Sequence, residues 1–320
     1  MSRPTAALED GAGLVTGPAT THGLASLFGQ EGLLVDEFES DPAGEANLIA
    51  LLPGQGGGRS LIVQAYVGGA LDDRAAGGGM LALVRALRRS GTRLRGDLLL
   101  HVATLEGAAA AHARGYRADG AVVLSAHADN LTVGHLGHLS LELIVYGQPA
   151  PAAREWFGIS AIAKTRYLLG TLGVRVVTTR IAGGEWLGNV PNKCVVDCYA
   201  VVERPDTLHA ARRAIEQAVD AAARADPWLA NRPPRVRWTG VALEPFAGDD
   251  RSELVGLVQR CYSSALGAAV QPSITRAGVP LASAAALADQ TVAIRFDASS
   301  GAGVPKVLAA TVVEWCGRVD

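Results

Sequence analysis

Three ionisable residues stand side by side at Asp72, Asp73 and Arg74, just past an apolar run that ends Gln64-Ala-Tyr66-Val-Gly68. Two carboxylates and a guanidinium can supply an acid, a base and an anion contact without a metal. A solvated turn leading into the next helix accounts for the same three residues. Metal chemistry needs a different set. A pair of co-catalytic metal ions takes about three His or carboxylate ligands each, with a position open for water. The candidates are Glu106, flanked by His101 and His112, and the series His127, His135 and His138. His127 follows an apolar run, at the kind of strand end where α/β sites form. His135 and His138, with Gly137 between them, have no fixed common direction and read as surface or core side chains. His101 lies inside an apolar run and reads as a satisfied core or sheet-edge residue. Cys194 and Cys198 would share one face of a strand. No His lies within ten residues of either, so they read as buried thiols.

Composition narrows the class. The 320 residues are 49% hydrophobic and 19% charged, enough for a sizeable core in one large domain or two smaller ones. The net charge of −2, with no long basic run, argues against nucleic acid. No apolar run approaches the ~20 residues of a membrane span. The first residues lack the apolar centre of a signal peptide. Four sparse cysteines fit a reducing compartment. These features point to a soluble cytoplasmic protein.

The elements that must position the ionisable residues follow from patterning. Runs at 46–52, 59–67, 98–103 and 120–125 read as strands, with helices from Met80 to Ser90 and from Gly107 to Arg114. That alternation implies a parallel sheet covered by helices. After His138 the order becomes strand 139–146, helix 159–169, strands 174–181 and 194–202, helix 207–224 with Asp206 as its N-cap, and strand 235–243. This is the split β-α-β-β-α-β arrangement of a small α+β domain. Helix and strand then resume at 253–266, 291–296 and 306–316. The expected layout is α/β: a discontinuous domain over 1–137 and 248–320, with a ferredoxin-like α+β domain over 138–247 inserted into it. Trp156, Trp186, Trp228, Trp238 and Trp315 read mostly as core or hinge packing, with Trp186 as the one candidate pocket wall.

Against this layout the chain resembles the zinc aminoacylases and peptidases, the family of acetylornithine deacetylase, succinyl-diaminopimelate desuccinylase and carboxypeptidase G. The resemblance rests on Gly69-Ala-Leu-Asp72, Arg114-Gly-Tyr-Arg-Ala-Asp119, Gly158-Ile-Ser-Ala-Ile162, Gly183-Gly-Glu-Trp-Leu-Gly-Asn-Val-Pro191 and Asp226-Pro-Trp-Leu-Ala-Asn-Arg-Pro-Pro234. It implies a catalytic α/β domain and an inserted lid through which such chains usually dimerise.

Carried over residue by residue, the resemblance implies a stripped site. The family's zinc-binding His and its orienting Asp fall at Tyr66 and Gly68. Asp72 matches the Asp that bridges two zincs. The family's Glu pair falls at Leu105-Glu106, which removes the general base and leaves one candidate ligand. The next acidic ligand falls in Ser125-Ala126-His127, the lid His at about Pro151, and the last His has no counterpart in 296–303. Two carboxylates, Asp72 and Glu106, fall short of a ligand set. Without a metal a water of pKa ~15.7 is not activated, and loss of the base removes a further ~10²–10⁴-fold. Asn189 matches the Asn that holds the substrate carboxylate, although an Asn before a turn Pro also explains it. The family's carboxylate-pairing Arg falls near Val201, with Arg204 out of register.

The expectation is therefore a metal-independent derivative of this fold with no cofactor. It would bind a small amino-acid-like molecule in the interdomain cleft, possessing non-hydrolytic biosynthetic chemistry. Tyr66, Asp72, Asp73, Arg74 and Glu106 are its candidate catalytic residues. Ser125, His127, Gly184, Trp186 and Asn189 are its candidate binding residues. The alternatives are a catalytically dead scaffold acting through lid-mediated association, and a residual amide hydrolase with unusual metal ligands. A homodimer through the lid is expected on the first two readings alike.

Overall fold

The structure, a computed structural model, describes residues 20–39, 46–67, 74–104, 106–172, 176–297 and 303–319. The chain divides into two compact units, Met1–His135 with Phe246–Asp320, and Leu136–Pro245.

The first unit opens with helix α1 (Thr21–Gln30), whose N-cap Thr20 accepts a hydrogen bond from the Gly23 amide. Strands β1 (Leu34–Phe38), β2 (Asn47–Leu52) and β3 (Leu61–Tyr66) follow, then α2 (Arg74–Arg89), β4 (Leu98–Ala103), α3 (Gly107–Ala113), β5 (Ala118–Ser125) and β6 (Thr132–His135). After the second unit come β11 (Phe246–Ala247), α7 (Glu253–Leu266), β12 (Ser273–Thr275), α8 (Leu281–Ala284), β13 (Ala288–Arg295) and α9 (Gly303–Cys316). The sheet order is β1-β2-β4-β3-β5-β13-β6-β11, with β12 beside β6.

The centre of this sheet is parallel, and β12 runs parallel to β6. Strands β4, β3, β5 and β13 run together, and β3 and β4 are buried at every residue. Continuous apolar runs give this result because helices cover both faces. At the edges, β1, β2, β6 and β11 pair antiparallel. The parallel sheet expected from the alternation of 59–67, 98–103 and 120–125 with helices is present in β3, β4 and β5, while β2 lies beyond β4 and is antiparallel to it. Alternation along β3 splits the core. Leu61, Val63 and Ala65 join the helices α1, α2, α7 and α9, and Ile62 and Tyr66 join α3 and α8.

Helix α2 begins earlier than Met80 because Gly77 and Gly79 are packing positions. A Cβ on Gly79 would sit 2.2 Å from the Phe296 ring, and one on Gly77 would sit 2.7 Å from Leu24. Each helical Gly costs about 1 kcal/mol of propensity. Close approach of α1 and Phe296 offsets that cost.

The second unit runs β7 (Gly137–Tyr146), a 3₁₀ turn (Ala152–Phe157), α4 (Ala161–Thr171), β8 (Val176–Gly183), β9 (Lys193–Val202), α5 (Leu208–Arg224), α6 (Pro227–Asn231) and β10 (Arg235–Leu243). Its sheet is antiparallel in the order β10-β7-β9-β8. Period-2 patterning buries Leu139, Leu141, Leu143 and Val145 against Cys194, Val196, Cys198 and Ala200. The N-cap of α5 is Thr207, which accepts from the Ala210 amide; the expected Asp206 lies one residue before it. All four cysteines are buried and free. Among the described residues no helix is long and apolar enough to cross a membrane.

Candidate functional site at the carboxyl ends of the parallel strands

Open α/β sheets bind ligands outside the carboxyl ends of their strands. The register sets four strand ends at one level here: Tyr66 pairs with Ala103, Ala65 with Leu124, and Ser125 with Arg295. That edge carries Tyr66, Thr104, Glu106, Ser125, His127 and Asp297.

Tyr66 is buried, and its hydroxyl donates to the Pro280 carbonyl at 2.9 Å. It also bonds to Ser283 Oγ and accepts from Gln64 Nε2 at 2.6 Å. Ser283 Oγ lies 2.8 Å from the same carbonyl, so its single hydrogen serves either that oxygen or the phenol. Burial pushes the Tyr66 pKa up, with the Ser283 bond opposing it weakly, so the phenol stays protonated. The structure thus turns this hydroxyl into the wall made by α8.

Asp72 and Asp73 lie outside the described residues, as does Leu105. Arg74 is the first residue of α2. Glu106 is exposed at the N-terminus of α3 and makes no side-chain capping bond. The turn that carries it is clamped from below by Asn47, whose Oδ1 accepts from the Thr104 amide at 2.7 Å and from Thr104 Oγ1 at 3.1 Å. A Cβ on Gly107 would meet that oxygen at 1.8 Å, so the turn requires a residue without a side chain. Ser125 is buried, and its Oγ accepts from the His127 amide at 3.2 Å. His127 itself is exposed just past β5.

The remaining histidines are dispersed. His135 is buried in the first unit, stacked on Phe246 at 6.2 Å. His138 is buried in the second, its Nδ1 2.5 Å from the Tyr199 hydroxyl. His101 lies in the core beside Phe38, but neither ring nitrogen has a hydrogen-bond partner among the described residues, which corrects the expectation of a satisfied core residue. Burial lowers its pKa to about 3. Among the described residues no three His, Cys, Asp or Glu side chains come together as a metal-ligand set. The described residues therefore do not fit the zinc pair that the resemblance implies.

In the second unit, Gly184 has φ of +84° and starts the loop that joins β8 to β9. The loop is zipped to the segment before α4: Ala152 N donates to Gly188 O and Val190 N to Ala150 O, each at 2.8 Å. Asn189 bridges to Pro151 and is exposed. Trp186 folds over Gly188, where a Cβ would meet its ring at 2.1 Å. Trp186 and Trp156 are 68% and 71% exposed, so Trp156 is not a core residue as expected. Trp315 is buried, with its indole donating to Ser60 O at 2.9 Å.

Asn47, Gln64, Thr104 and Ser283 were not legible as site residues. Asn47 and Gln64 did leave a signal, each being a polar residue inside an otherwise apolar strand run.

No protein-family model and no curated protein sequence matches the chain. Solved structures do. A tripeptidase from Staphylococcus aureus subsp. aureus mu50 superposes with a TM-score of 0.75 at 15% identity, over 98% of this chain and 97% of that one. The dipeptidase Dug1p from Saccharomyces cerevisiae gives 0.74 at 11% identity, over 98% and 95%. A hydantoinase/carbamoylase family amidase from Burkholderia multivorans gives 0.66 at 14% identity, over 98% and 97%. The chain has the peptidase–amidase fold. At these identities the likeness extends to the fold alone. Within that fold, the carboxyl edge of β3 to β13 holds a buried phenol, a buried Ser hydroxyl and an exposed carboxylate.

Proposed function

We propose that this chain is a metal-independent derivative of the peptidase–amidase fold. It binds a small amino-acid-like ligand at the carboxyl edge of β3, β4, β5 and β13 and serves non-hydrolytic biosynthetic chemistry. The observation that carries this reading is Tyr66. Where the resemblance puts a zinc-binding His, a buried phenol is committed to Pro280 and Ser283. Asp72 and Glu106 then stand short of the about three ligands each metal takes.

In this reading Asp72 and Asp73 exchange a proton with the ligand, and Arg74 pairs with its carboxylate through a two-pronged bond. Glu106 and His127, both exposed, supply further polar contacts at the same edge, and Ser125 holds the His127 turn. In the second unit, the loop carrying Gly184, Trp186 and Asn189 exposes an amide and an indole.

Metal analysis and thermal shift together test the proposal. The purified chain should carry no stoichiometric zinc, cobalt or manganese after dialysis, and chelator should leave its melting temperature unchanged. A panel of amino acids and N-acyl amino acids should contain at least one stabilising ligand, whose effect is lost in Asp72→Ala and Glu106→Ala. One zinc per chain that depends on both carboxylates would overturn it.

A second reading rests on a separate observation. Strand β8 is an edge strand exposed along nearly its whole length, with Val177 and Ile181 60% and 54% exposed. Unpaired edges template pairing with another chain. We propose that the lid forms a homodimer along β8, which serves either a ligand-binding protein or a scaffold. If Asp72→Ala and Asn189→Ala leave pathway output unchanged in cells, the scaffold is the function.

A further inference from the structure

The charge of the chain is balanced overall, with 29 Lys and Arg against 31 Asp and Glu, but it is not evenly spread. Residues 74–96 hold Arg74, Arg85, Arg88, Arg89, Arg93 and Arg95 and no carboxylate. Arg85 is neutralised by Glu31 at 2.8 Å. Arg88 and Arg93 are exposed and form no ion pair among the described residues.

Both line one groove of about 410 Å³. Its accessible apolar surface comes from Leu52 and Pro53, with Leu87 and Leu94 buried beneath, and Gln55 adds a polar side chain. Among the described residues no acidic residue lines it. Ligand grooves run from ~300 to ~1,000 Å³, mostly apolar with a few convergent polar groups. Room for one guanidinium is built in: a Cβ on Gly32 would stand 3.0 Å from Arg88 Nη2. Gly32 also has φ of +73°, a left-handed backbone conformation that favours glycine.

The ordinary account of such arginines is compensation of the helix dipole at the end of α2. That dipole amounts to roughly half a negative charge and fades within the last turn. Arg88 and Arg89 already exceed it. Arg93 lies beyond the helix, so the dipole does not account for it. The groove also stands apart from the candidate site. Leu52 pairs with Leu98 at the start of β4, whereas Tyr66 pairs with Ala103 at its end. Six residues of strand put the two edges roughly 17 Å apart.

We infer that this groove is a binding site for a small organic anion: a carboxylate or phosphate head held by Arg88 and Arg93, and an apolar body lying on Leu52 and Pro53. Guanidinium groups pair bidentately with both head groups.

Calorimetric titration of the full chain with phenyl phosphate, phenylacetate, inorganic phosphate and benzyl alcohol tests this. At least one aromatic anion should bind tenfold or more tightly than both inorganic phosphate and benzyl alcohol. The better of the two identifies the head group. The double variant Arg88→Gln/Arg93→Gln should weaken that binding at least tenfold, and Arg88→Lys/Arg93→Lys should retain part of it. Arg154→Gln/Arg166→Gln, in the other unit, should leave it unchanged. Absence of binding by every anion, or equal binding by the double Gln variant, would overturn the inference. So would Arg88- and Arg93-dependent binding of polyglutamate with no small anion bound, which would make the groove a contact for an acidic polypeptide.

Discussion

The Tyr66 hydroxyl and the Pro280 carbonyl, 214 residues apart in the chain, meet at 2.9 Å and fasten β3 to the segment that enters α8. Gln64 and Ser283 complete the contact. The phenol is fully enclosed, so its polar atom depends on these partners. Tyr66→Phe removes the hydroxyl and leaves Gln64 Nε2 buried without its acceptor. Loss of a buried partner costs about 1–3 kcal/mol. The expected result is an unfolding free energy lowered by that amount, read as a lower urea midpoint at unchanged slope. An unchanged midpoint would show that Tyr66 is not structural. Tyr66→His alone should not bring in stoichiometric zinc, because the described residues supply no companion ligand set.

The peptidase–amidase fold was legible because its elements are long and cleanly patterned. The β-α-β-β-α-β order of the second unit could be read from alternation in β7 and β9 and from the 3.6-residue period of α5. The edges were not legible. Strand β6 is four residues, β12 three and β11 two, too short to show a period. Their pairing is decided by tertiary contacts. At the site, sequence could name Tyr66, Ser125 and His127 but not their directions. Ser283 sits in a four-residue helix with no motif around it, so nothing local marked it as a partner of Tyr66.

His101 makes acid stability measurable. Burial holds its pKa at about 3, well below the ordinary 6.5. Between those values the unfolded chain binds a proton that the folded chain does not. Its contribution is therefore fully present above pH 6.5 and declines as pH falls toward 3. The slope is at most about 1.4 kcal/mol per pH unit. His101→Phe keeps a ring beside Phe38 and removes this proton. The unfolding free energy of the variant should fall less steeply than that of the parent between pH 6.5 and 5. Parallel curves over that range would sink the assignment.

Asn47 and Gly107 act as a lock and its clearance. Asn47 Oδ1 satisfies the Thr104 amide and hydroxyl, and Gly107 leaves that oxygen its space. Asn47→Leu should cost about 1–3 kcal/mol by stranding the Thr104 amide, and faster hydrogen exchange at Thr104 should report the loosened turn. Gly107→Ala should also destabilise, since its methyl would displace Asn47. The two effects should be strongly non-additive in a double-mutant cycle, because the second change acts only through the first. Additive penalties would mean that the residues act independently.

Association along β8 is the remaining prediction. The strand shows solvent almost all of its side chains, and Leu187 beyond it is fully exposed at 100%. A charge at an exposed strand edge opposes pairing with a second strand. Ile181→Lys places one without touching the core of the unit, since Ile181 is 54% exposed. Light scattering should give a dimer mass for the parent chain and a monomer mass for this variant, with unfolding free energies of the subunit within about 0.5 kcal/mol of each other as for other surface changes. Val177→Lys should act in the same direction. A dimer that survives both substitutions would place the interface away from β8, and a monomeric parent would remove the scaffold reading along with it.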